Sequence, residues 1–107
     1  MPQFVQDVIN QPQGSFSTGS NLDVDGSAEQ LIAVSHPATT AVLVRADAEN
    51  SGVVYLGDSA SVTAGTLGST DGLPLSAGDA ISIPVTNANL IYAIGSAANQ
   101  KLFFLAI

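Results

Sequence analysis

The chain has no cysteine, no tryptophan and only two basic side chains, Arg45 and Lys101, in 107 residues. Without cysteine there is neither a disulfide framework nor a thiolate metal site, and nothing reports the redox compartment. Two cations cannot form the clustered patch that displaces counterions from phosphate, and nine carboxylates bring the formal net charge to −7. No nucleic acid and no anionic membrane surface is therefore expected as a partner. Long apolar runs are missing too. LFFLAI at 102–107 is among the longest, far short of the roughly 20 residues of a spanning helix. The stretch MPQFVQDVINQPQG has no basic n-region and no extended apolar core, so it does not read as a signal peptide. Synthesis in a cytoplasm without an export address is the expectation.

What is there suits one small domain. Hydrophobic residues make up 46% of the chain, and charged ones only 10%, against about 25% in an average soluble domain. The surface must then be tiled with Ser, Thr, Asn, Gln, Gly and Ala, a composition more at home in an assembly component than in a free monomer.

The pattern changes near residue 28. Residues 1–28 read as an N-terminal arm or irregular segment, in which Phe4, Val5, Val8 and Ile9 would share one face of a short helix ended by Pro12. An arm that orders on a neighbour is the alternative, and 14–26 reads as a loop or irregular strand. Residues 29–107 read as a β-sandwich domain. LIAVS (31–35), TAVLVRA (40–46), VVYL (53–56), AISIPV (80–85), LIYAI (90–94) and LFFLAI (102–107) are strand-length and rich in β-branched, aliphatic and aromatic residues. Gly, Pro, Asn or Asp separates them where the chain must reverse. Such spacing predicts an all-β fold, a small antiparallel, jelly-roll-like β-sandwich. In AISIPV, Ile81, Ile83 and Val85 should face inward, and Pro84 calls for an edge strand or a bulge. LFFLAI is apolar on both faces, so the second face, with Phe103 and Leu105, should meet the arm or another subunit.

Several stretches hint at chemistry. Gly57-Asp58-Ser59 after VVYL is similar to the nucleophile segment of GDSL-type esterases. A serine nucleophile needs a base in hydrogen-bond reach, yet the single histidine, His36, lies upstream before Pro37, and no Asp-x-x-His occurs. The tripeptide reads as a turn, and no enzyme is expected. Asn21-Leu22-Asp23-Val24-Asp25-Gly26 matches the opening of an EF-hand loop, but the twelfth position is Ile32 rather than a bidentate Glu. An Asx-type turn and weak calcium binding near Asn21–Asp25 both stay open. His36 reads as a polar turn residue. Tyr55 and Tyr92 fall mid-strand and read as packing rather than as sugar platforms. No catalytic, metal or other cofactor site is expected.

GVVYLGDSASV, DGLPLSAGDAISIPV and NLIYAIGSAANQKLFFLAI form a recurring order of glycine, aliphatic, tyrosine and Gly-Asp elements over 40–107. The order resembles the small β-sandwich proteins encoded beside the capsid genes of tailed bacteriophages. The resemblance implies a virion structural protein, a capsid decoration (cement) or head-fibre protein that docks as a homotrimer on the major capsid protein. It would be made in the host cytoplasm and end on the capsid exterior. Phe4, Val8, Ile9 and Phe16 of the arm are then the expected capsid or intersubunit contacts, beside Phe103 and Leu105. A neck, tail or baseplate accessory protein and a carbohydrate-binding module for host recognition are the alternatives.

Overall fold

Alternate side chains along a strand turn to the core, and in the central strands the inward ones are apolar. In the computed structural model, which describes residues 16–107, β3 (Val42–Ala46) buries Val42, Val44 and Ala46 and exposes Leu43 and Arg45. The C-terminal strand β8 (Gln100–Ala106) likewise buries Leu102, Phe104 and Ala106 and turns Lys101 and Phe103 outward. Between them lie β4 (Val54–Gly57), β5 (Leu73–Leu75), β6 (Ala80–Ile83) and β7 (Tyr92–Gly95), and before them β1 (Ser17–Val24) and β2 (Glu29–Gln30).

The strands form two four-stranded antiparallel sheets, ordered β1-β8-β3-β6 and β2-β7-β4-β5. First pairs with last, second with seventh, third with sixth, fourth with fifth. This is the order obtained by rolling one long antiparallel hairpin into two layers, the jelly roll. The inner faces meet over Leu31, Val42, Val44, Val54, Leu102 and Phe104. Burying each large side chain contributes about 1.5–3 kcal/mol.

Three features depart from the sequence reading. The sandwich begins at Ser17, inside the span read as an arm, because β1 pairs with β8 from Ser17 opposite Ala106 to Asn21 opposite Leu102. Apolar periodicity misses this strand because one of its inward positions is Gly19. A Cβ there would stand 2.3 Å from Cζ of Phe104, so the ring packs on bare backbone. LIAVS is not a strand. Leu31 is buried and donates its N–H to the Ile91 carbonyl (2.7 Å), after which Asn87 Oδ1 accepts from the His36 N–H (2.9 Å) and Pro37 has no N–H to offer a ladder. Ile32 packs against the core, and residues 33–35 are exposed. Leu73-Pro74-Leu75 in turn forms an edge strand, the place in a sheet where a proline is tolerated. β6 is the edge of the other sheet and ends just before Pro84, in keeping with that proline's missing donor.

Candidate functional site

The residues with chemical potential are held apart. β4 ends at Gly57, whose missing Cβ leaves room for Val62; an added one would lie 2.6 Å from the Val62 side chain. The chain turns through Ser59, whose carbonyl accepts from Val62 N–H (3.2 Å) and whose hydroxyl bonds that of Ser61 (2.7 Å). The His36 ring is engaged elsewhere. Its Nε2 is 2.8 Å from the Ser17 hydroxyl, and its ring makes a T-shaped contact with Phe104, 4.8 Å between centroids and 82° between planes. The histidine thus ties β1 to the segment that follows β2. Asn21 Oδ1 accepts from Asp23 N–H (3.1 Å), and Asp25 Oδ1 from Ser27 N–H (3.0 Å). Both are Asx turns, and among the described residues no three potential metal ligands converge.

The loop from Thr63 to Gly72 is organised by one carboxylate. Asp71 accepts from the hydroxyls of Thr66 (2.7 Å) and Thr63 (2.7 Å) and from the N–H groups of Thr66 (3.0 Å) and Leu67 (2.8 Å). The Thr66 hydroxyl, then that of Thr63, then the backbone donors favour the ionised form and lower its pKa from 3.8 to about 2. Leu67 at the tip has φ of 61°. Beneath the loop, Gly65 approaches the Tyr55 hydroxyl. Tyr55 and Tyr92 are both half-buried on the outer side of their sheet.

The outer face of the β1-β8-β3-β6 sheet has a different character. Arg45 stands opposite Phe103 and Leu43 opposite Leu105, while on the other side Thr18 and Ser20 of β1 flank Leu105 and Phe103. Phe103 is 43% and Leu43 38% exposed. They rim a shallow hollow of about 170 Å³ with Arg45 and Leu105. Lys101 projects from the same face of β8 by strand alternation. Both cations of the chain therefore border one apolar stripe, and among the described residues neither has an ion-pair partner.

Of the residues singled out from sequence, Phe103 and Leu105 lie side by side on this stripe, and Phe16, just ahead of β1, is 67% exposed. Phe4, Val8 and Ile9 lie outside the described residues. Sequence reasoning missed Leu43 and Arg45, whose place beside Phe103 follows from the β3–β8 register. It also missed a second apolar hollow of about 180 Å³ at the sandwich mouth, formed by Leu56, Leu73, Ile83, Val85, Leu90 and Ile91. No protein-family model, no curated protein and no solved structure matches the chain.

Proposed function

We propose that the protein is a virion structural component of a tailed bacteriophage, a decoration protein that seats as trimers on the outer surface of the major capsid protein. The observation that carries this reading is the outer sheet face. Leu43, Phe103 and Leu105 form a partly exposed apolar stripe on the central strands of the sheet, where a solvated face would carry polar side chains. Exposed apolar patches of this kind mark contact surfaces. The jelly-roll order supports it by analogy of fold alone, since the same architecture recurs in viral capsid and lectin domains. The acidic, charge-poor surface is compatible with a shell exterior, which has no call to bind the packaged polyanion.

The test is quantitative mass spectrometry of virions made by the genome that encodes the chain. Hundreds of copies per particle are expected. Absence from purified particles would overturn the reading, and a dozen or so copies would move it to a neck, tail or baseplate position.

A further inference from the structure

We propose that the pocket between the turn 57–62 and the end of the Asp71 loop, 69–72, binds one neutral sugar unit, with Asp58, Ser69 and Asp71 as its hydrogen-bond partners.

The pocket is a cavity of about 370 Å³, within the roughly 300–1,000 Å³ usual for small-ligand sites. Its floor is closely packed. A Cβ on Gly57 would stand 2.6 Å from the Val62 side chain, and one on Gly72 would stand 2.5 Å from the Leu56 carbonyl oxygen. The turn and the loop therefore press together through bare backbone. The loop wall is fixed as well. Thr63 N–H donates to the Thr70 carbonyl (3.0 Å), and Gly72 N–H to the Thr63 carbonyl (3.0 Å). Within this frame Leu67 keeps its positive φ, and strain held by surrounding bonds clusters at ligand sites. A pocket shaped before binding loses little to ordering.

The lining selects the ligand. Asp58, Ser59, Ser61, Ser69, Thr70 and Asp71 surround the cavity with hydroxyls and carboxylates. Ser59 and Ser61 bond each other, and the Thr70 hydroxyl bonds that of Thr63 (2.9 Å). The side chains of Asp58 and Ser69, by contrast, have no partner among the described residues. Asp71 takes three of its four bonds on Oδ1 and only the Leu67 N–H on Oδ2, which leaves Oδ2 an open acceptor position. Ionised carboxylates only accept, so the ligand must donate, while the Ser69 hydroxyl can do either. Anions are disfavoured, because a phosphate or carboxylate would meet two carboxylates and both cations of the chain border the outer face of the other sheet. Among the described residues no aromatic side chain lines the cavity, so a flat ring system finds no stacking partner. A neutral ring bearing several hydroxyls meets each of these conditions. Its O–H groups donate to Asp58 and Asp71 in charge-assisted bonds and exchange bonds with Ser69. The inference does not rest on the virion reading. Under that reading, it gives the particle surface a contact for glycans.

Amide NMR of the nitrogen-15-labelled full-length chain tests it. Glucose, galactose, mannose and N-acetylglucosamine are titrated in turn into the tens of millimolar, each as the free sugar and as its methyl glycoside. At least one should shift the amides of 58–61 and 69–72 saturably and leave those of β3 and β8 in place. Equal binding of the two forms would assign the site to a unit within a glycan chain, and loss with the glycoside to a free sugar. Asp58→Ala should weaken binding about ten-fold or more, as loss of a hydrogen bond to a charged group does, and Ser69→Ala about two- to ten-fold. Both side chains are exposed and make no bond within the fold, so each variant should keep the wild-type spectrum away from the pocket. Three results would each overturn the proposal. They are no saturable shift with any of the sugars, shifts centred elsewhere on the sandwich, and an affinity unchanged in both variants.

Discussion

Leu67 holds φ of 61° with its side chain 99% exposed. That backbone region costs an L-residue about 1–2 kcal/mol, and here no packing is gained in return. The Asp71 carboxylate enforces the conformation by accepting the Leu67 N–H (2.8 Å) and the Thr66 N–H (3.0 Å). Leu67→Gly should therefore stabilise the protein by about 0.5–1 kcal/mol, the relief of strain less the extra chain entropy of glycine, read from urea unfolding. The same carboxylate sets a pH dependence. Its folded pKa of about 2 lies below the ordinary 3.8, so the unfolded chain takes up the proton first. Its contribution is complete above the ordinary value and is lost as pH falls through the folded one. Between pH 4 and pH 2 the difference in stability between wild type and Asp71→Asn should shrink, and a constant difference would assign the loop's order to other contacts. Gln100, buried at 1% exposure, accepts from Gly52 N–H (2.8 Å) and donates to Ser51 Oγ (3.1 Å) and the Ala98 carbonyl (2.8 Å). Gln100→Leu strands the Gly52 donor and should cost about 1–3 kcal/mol.

At the scale of elements, β1 shows what a strand made of backbone rather than side chain requires. Gly19→Ala would drive a methyl group into the Phe104 ring, and should lower stability by about 1–3 kcal/mol, as overpacking does. Gly26→Ala, with nothing within 4 Å of the added carbon, is the silent control in the same urea titration. The contrast also explains which elements were legible. β3, β4, β6, β7 and β8 announce themselves because their inward positions carry Val, Ile, Leu, Ala and Phe. β1 turns Gly19 and Asn21 toward the core side, β2 has two residues, and β5 is centred on Pro74, so hydrophobic period is silent for all three. LIAVS misleads in the opposite sense, since Leu31 and Ile32 pack on the core outside any ladder and Ala33 and Val34 are exposed. The apolar stripe on the outer sheet face was half legible. The double-faced run 102–107 exposed Phe103 and Leu105, but Leu43 and Arg45 join them through a register that no local pattern encodes.

For the whole molecule, the proposed role makes the outer sheet face the contact that matters. Phe103→Ser with Leu105→Ser should leave the urea midpoint nearly unchanged, because neither side chain belongs to the core cluster. The pair should weaken particle binding at least ten-fold in co-sedimentation, and undiminished binding would move the contact to another surface. The rolled hairpin has a further consequence, in time rather than in space. Among the described strands, only β4 and β5 are both neighbours in sequence and partners in a sheet. Each later pair, β3 with β6, β2 with β7 and β1 with β8, closes a longer loop, and that entropy must be met before the pairing repays it. Folding should start in mid-chain and zip outward, with β1 docking last and the whole process taking milliseconds to seconds, as in other β topologies rich in distant contacts. In chevron kinetics, Val54→Ala in β4 should chiefly slow refolding, while Gly19→Ala in β1 should chiefly speed unfolding.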